Sequence, residues 1–155
     1  MNEADIPAVP VENIREKVAI MEAEMLHMPQ VVMTPVHHFA EGLYARELLI
    51  PAGTVIVGKV HLAEHLNFLM KGDITVWTDD GMKRLQAPCI LKSRPGVKRV
   101  GLTHEDTIWV TVHATDEIEG CDVVALENKL TVPTMADYDM LVAEQVKGLL
   151  EGGQQ

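Results

Sequence analysis

From residue 31 to about residue 115 the chain is a succession of short β-rich runs, each cut off by turn-forming residues. ARELLI stops at Pro51-Ala52-Gly53, LNFLM at Lys71-Gly72-Asp73, and DITVW at Asp79-Asp80-Gly81; TVIVGKVHL and DTIWVTVHA have the same character. Several short strands broken by such turns predict an antiparallel sandwich or barrel. Helical patterns flank this zone. Ile14, Val18, Met21, Met25 and Met28 recur at three- and four-residue intervals over residues 11–28, and Pro29 ends that stripe. A second helix is expected near residues 135–150, where Met140, Leu141, Val142, Val146, Leu149 and Leu150 cluster before a frayed Gly152-Gly153-Gln154-Gln155 tail. The chain therefore divides into an N-terminal leader and helix (1–30), a β-barrel (31–116), and a C-terminal loop and helix (117–155). Both helices carry apolar stripes that must pack either on their own barrel or on a neighbouring subunit.

At 155 residues the chain is expected to form one domain that buries roughly 70% of its unfolded surface. It is 47% hydrophobic but only 4% aromatic, so its nine methionines are the natural fillers of irregular gaps. The 23 acidic against 13 basic residues give a formal charge of -10, which opposes general binding to nucleic acid. Cys89 and Cys121 are isolated thiols, and a barrel of this size does not need a disulfide, so a reducing compartment is expected. Neither a signal-peptide core nor an apolar run near about 18 residues occurs, so secretion and membrane insertion are not expected.

One spacing stands out. Residues 53–72, GTVIVGKVHLAEHLNFLMKG, place Gly53, Lys59, His61, His65 and Gly72 at the intervals Gly-x5-His-x-His-x3-Glu-x6-Gly. This frame resembles the first motif of the cupins, with Lys59 in the first histidine slot and His65 in the glutamate slot. The second cupin frame falls on Pro88, Arg94, Gly96, Arg99 and Thr103, where only Gly96 is kept, Pro95 stands one place late, and Arg99 fills the histidine slot. The wider run over residues 30–116 is also similar to cupin-like proteins of tailed bacteriophages and bacteria. The resemblance implies a mainly β protein, a cupin-like double-stranded β-helix or jelly-roll barrel with flanking helices.

Two chemistries compete at the motif. If Lys59, His61 and His65 face one cavity, the two imidazoles can hold a divalent metal. A third ligand must then come from His104, His113, Glu64 or Glu47, because guanidinium has no lone pair and Arg99 cannot serve. Alternatively, Lys59 and Arg99, with Lys98 and Arg46 nearby, attract a carboxylate or phosphate. Arg supplies a planar fork, Lys a point charge, and His61, His65 and Glu64 hydrogen-bond partners. An internal ion-pair network of Lys59, Arg99 and Glu64 that merely plugs the barrel is the structural alternative. Tyr44 and Arg46 alternate on the strand before Pro51 and fit the same cavity. His37 and His38 read as exposed loop residues, Trp77 and Trp109 as core or barrel lining, and Cys121 as an unactivated loop thiol.

The first expectation for function is a non-catalytic cupin-like module of a phage or prophage, homo-oligomeric, binding a small anionic ligand or packing against other phage proteins. Its expected place is the host cytoplasm, or the virion if structural. No cofactor is expected on this reading. The alternatives are an isomerase or oxygenase that uses zinc, iron, manganese or nickel on a small carboxylate or sugar, and a metal-free epimerase with His61 or His65 as base.

Overall fold

A computed structural model describes residues 11–78 and 80–152, with side chains from residue 15 onward. The side chain of Ile14, Asp79 of the expected turn, and Gly153, Gln154 and Gln155 of the expected tail lie outside the described residues. In chain order the elements are α1 (Val11–Met25), β1 (Val36–Ala40), β2 (Leu43–Ile50), β3 (Val55–Val57), β4 (Val60–His61), β5 (His65–Lys71), β6 (Asp73–Thr78), β7 (Gly81–Gln86), β8 (Cys89–Ser93), β9 (Val100–Thr103), β10 (Thr107–Ala114), α2 (Val123–Leu130), β11 (Thr131–Val132) and α3 (Met135–Gly152).

All strand pairs are antiparallel among the described residues. One sheet runs β1-β2-β10-β5-β8 and the other β3-β9-β6-β7, so the chain passes repeatedly between them. The core sits between their inner faces: Leu69 of the first meets Ile74 and Val76 of the second, with Leu85, Ala87, Cys89 and Trp109 packed against them. The protein is mainly β, two antiparallel sheets packed face to face as a jelly-roll barrel with flanking helices.

The run TVIVGKVHL does not form one strand. β3 belongs to the second sheet through β9, whereas β4 leaves it to pair with β11 at the barrel mouth. The Gly58 N–H, donating to the Arg99 carbonyl at 2.9 Å, marks the crossover. Two frame glycines have steric reasons to be glycine. Gly72 has φ +102°, and a Cβ there would collide with the Thr107 side chain and lie 2.7 Å from the Asp106 carbonyl oxygen. Gly96, at φ +81°, lies under the Tyr138 ring of α3, which a Cβ would approach to 2.6 Å.

The first helix ends at Met25, short of the expected Met28, because the Gln30 amide turns back to donate to the Met25 and Met28 carbonyls at 2.8 and 3.0 Å. Where the sequence reading has a loop after residue 117, Val123–Leu130 form α2. The Asp122 side chain caps it by accepting the Ala125 N–H at 3.2 Å, and Leu126 anchors it at 2% exposure. Among the described residues no helix is long and apolar enough to cross a membrane.

Candidate metal and anion site

A cavity of about 410 Å³ opens between the sheets, and β4 and α2 reach its mouth. Strand parity decides what faces it. On β10, Trp109, Thr111 and His113 alternate with Val110 and Val112; on β5, His65 and Asn67 alternate with Leu66. Because Val112 pairs with Leu66, His113 and His65 are neighbours on the inner face. β4 brings His61 over them. Ring centroids are 4.1 Å apart for His61 and His65, 5.0 Å for His61 and His113, and 4.8 Å for His65 and His113. The ligand atoms of the three lie within 4.8 Å of one another.

The protonation pattern follows from these contacts. His65 Nδ1 is 3.0 Å from the Ala63 carbonyl, which can only accept, so Nδ1 carries the hydrogen and Nε2 presents a lone pair. That Nε2 is buried and, among the described residues, has no hydrogen-bond partner. His61 Nδ1 and His113 Nε2 are 3.2 Å apart. Burial, followed by the neighbouring His65, His113, Arg99 and Arg46, lowers the His61 pKa to about 3. Burial and His65 lower His113 to about 4. Burial also lowers His65, with Arg99 adding to the effect and the Ala63 carbonyl opposing it. At neutral pH the cluster is three uncharged imidazoles, the form that ligates metals.

Cations surround this cluster. Arg99 extends along the cavity with its guanidinium 5.8 Å from the Trp109 ring centroid, and among the described residues it has no carboxylate partner. Burial lowers even its pKa. Arg46 and Lys59 are differently placed. Glu127, delivered by α2, sits 3.3 Å from Arg46 Nε and 4.0 Å from Lys59 Nζ. One carboxylate thus offsets one of the two positive charges at the rim. The Trp109 indole is held by Asn67, whose carbonyl oxygen accepts from Trp109 Nε1 at 3.2 Å and from Thr111 Oγ1 at 3.3 Å, while its amide donates to Ser93 Oγ at 2.7 Å.

Of the residues named from sequence, His61, His65 and Arg99 come together, and Lys59 stands half-exposed at the rim with Tyr44 and Arg46 on the lining. Glu64 is outside, 59% exposed and 3.9 Å from Lys92. Lys98 is drawn away, its side chain buried against Glu22 and the Pro133 carbonyl. Among the possible third ligands, His113 is in the cluster; His104 bonds Thr75 Oγ1 at 2.7 Å, and Glu47 bonds His38. His37 and His38 lie in β1 rather than a loop, His37 bonded to the Tyr44 hydroxyl. Glu127 and Asn67 escaped the sequence reading. Asn67 shares its strand parity with His65, a signal that was present; Glu127 depends on α2, and nothing local places it.

No family model and no curated protein matches the chain. Among solved structures it is similar to a cupin domain from Bordetella pertussis, at 16% identity and a TM-score of 0.45, covering 57% of this chain and 98% of that one. It is also similar to KdgF from a Halomonas species (14%, TM-score 0.47, 58% and 89%) and to ectoine synthase from P. lautus (12%, TM-score 0.47, 55% and 65%). At these values the likenesses carry nothing about activity.

Proposed function

We propose that the barrel holds a divalent transition metal on His61, His65 and His113, and binds a small carboxylate-bearing molecule against Arg99 beside it. The observation that carries this reading is the buried lone pair of His65 Nε2, which lies beside two further neutral imidazoles and has no hydrogen-bond partner among the described residues. A buried acceptor left unpartnered costs about 1–3 kcal/mol, which a bound ion would recover. The 3.2 Å between His61 Nδ1 and His113 Nε2 also suits two nitrogens each about 2.0–2.1 Å from one ion. Imidazole suits zinc, iron and nickel, whereas manganese favours oxygen ligands.

Arg46 and Lys59 both face the Glu127 carboxylate, which lessens the repulsion these two cations would exert on a metal ion in the cavity. Arg99 keeps its charge for a ligand. Its fork accepts two carboxylate oxygens in one plane, and Trp109, fixed by Asn67, limits where that plane can lie. When bound, the metal supplies Lewis-acid polarisation of a ligand oxygen. The chain's residues orient the ligand, exclude part of the solvent, and keep the Glu127 carboxylate at the cavity edge between Arg46 and Lys59. Binding alone suffices for a non-catalytic role, so turnover is a separate question.

Cobalt titration of chelator-treated protein, read by visible absorption, tests the metal. One equivalent should bind, and His61→Ala, His65→Ala and His113→Ala should each weaken it at least tenfold. Binding untouched by all three would end the proposal. Arg99→Ala should leave cobalt binding intact but remove the thermal stabilisation given by short carboxylates such as oxalate or succinate. Equal stabilisation of both proteins would discard the anion half alone.

A further inference from the structure

The cavity changes character along its length. On its large-sheet wall β2 and β10 pair Tyr44 with His113, Arg46 with Thr111, and Leu48 with Trp109, and Ile50 follows. Successive levels lie about 7 Å apart on one face, so two polar levels give way to apolar ones. The four-stranded sheet grades in the same direction. Arg99, whose carbonyl accepts the Gly58 N–H, stands toward the mouth; one step inward Ile56 and Val76 flank Gly101, and Ile74 lies beyond them. Leu48, Ile50, Ile74 and Val76 are each 7% exposed or less, yet all border the cavity, so its inner end is an apolar recess shielded from bulk water.

The polar side-chain atoms beside this recess already have partners. Trp109 has a single one, Nε1, and it donates to Asn67 Oδ1 at 3.2 Å, so the rest of the indole is carbon. Asn67 also donates to Ser93 Oγ and accepts from Thr111 Oγ1. Thr103, paired with Ile74, donates to the Pro51 carbonyl at 2.6 Å and accepts the Thr54 N–H at 3.0 Å. We infer that the ligand is a monocarboxylate with an apolar body, its carboxylate on Arg99 and its hydrocarbon in the recess. The inference rests on the carboxylate site proposed at Arg99 and narrows it to one class of acid.

Desolvation makes the selection. A second carboxylate, or a row of hydroxyls, would leave water for the recess and find no free partner there, a penalty that hydrocarbon does not meet. Each methylene buried in it should instead tighten binding roughly fourfold. At about 410 Å³ the cavity is toward the lower end of ordinary small-molecule sites, about 300–1,000 Å³, which suits a body of several carbons and not a long lipid chain. Arg99 holds the charged end, because Arg46 and Lys59 already face Glu127.

Calorimetric titration of the full chain with a series of acids tests it. Affinity should rise at least tenfold from butyrate to hexanoate, rise again to octanoate, and stop rising once the chain outgrows the recess. Adipate and gluconate, with six carbons each, should bind at least tenfold more weakly than hexanoate. Hexanol should also bind more weakly, and Arg99→Ala should erase its difference from hexanoate. Ile56→Phe, on the edge strand β3, narrows the recess and should weaken octanoate at least fivefold more than butyrate. Circular dichroism establishes that both variants are folded. A flat series, or adipate or gluconate binding as tightly as hexanoate, overturns the inference, while an Arg99-dependent response to succinate would keep the anion site itself. Hexanol binding as tightly as hexanoate, with Arg99→Ala indifferent to both, discards the anion site and this inference together.

Discussion

His61, His65 and His113 set how this protein responds to acid. Unfolded, each imidazole titrates near its ordinary 6.5; folded, His61 does so at about 3 and His113 at about 4. Between those values the unfolded chain binds protons that the folded chain refuses, so stability rises with pH there. The stabilisation from keeping the rings neutral is full above about pH 6.5 and drains away as pH falls through about 4 and 3. Chelator-treated protein should therefore show a flat melting temperature above neutrality and a steep decline below pH 6. Urea titrations across this range should show a shallower dependence in a His61→Asn, His113→Asn double variant; an unchanged slope would mean the rings are not buried as described. Asn67 gives a second residue-scale expectation. Asn67→Leu strands Trp109 Nε1, Thr111 Oγ1 and Ser93 Oγ, and should cost about 1–3 kcal/mol in denaturant unfolding. A loss below about half a kcal/mol would show that water replaces the amide. At this scale the sequence was partly legible. His61 and His65 announce themselves by spacing, and His113 shares the parity of Trp109, but only the β10–β5 register brings His113 beside His65.

Elements behave differently, because the strands repeat a pattern and α2 does not. The turns at Gly53 and Gly72 mark strand ends in the amino-acid order, so the barrel was readable from it. α2 has eight residues and a single buried side chain, Leu126, which is too little periodicity to register against a loop. Its Asp122 cap was the one local sign. Yet α2 delivers Glu127, and with it the charge balance of the cavity rim. Removing that carboxylate should have a clear consequence. Glu127→Gln frees Arg46 and Lys59 to attract anions, so carboxylate affinity should rise several-fold, more at low salt than at high. Calorimetric titration with succinate reads this directly. Unchanged or weaker affinity would mean that Glu127 positions the ligand instead of competing with it.

For the molecule as a whole, the histidine cluster is also a tie between parts that are otherwise loosely joined. His65 and His113 belong to the large sheet, whereas His61 rides on β4, a two-residue strand paired with β11, its His61 carbonyl also accepting the Gly96 N–H at 2.9 Å. Through β11 that strand connects α2 to α3, and the Leu62 N–H donating to the Leu130 carbonyl at 2.8 Å adds one more link. A two-residue strand pair with a few flanking backbone bonds is prone to open locally without global unfolding. An ion bound by all three rings would join β4 to the large sheet and favour the closed form, by mass action, in proportion to its affinity. Zinc or cobalt should therefore raise the melting temperature and, in hydrogen exchange, slow the amides of Val60, His61, Leu62, Thr131 and Val132 far more than those of β5 and β10, already protected on both sides by sheet neighbours. Protection that rises uniformly would place the ion's effect on global stability alone. Protection unaltered at β4 and β11, with cobalt bound, would show that His61 is not among the ligands and that the mouth closes by other means.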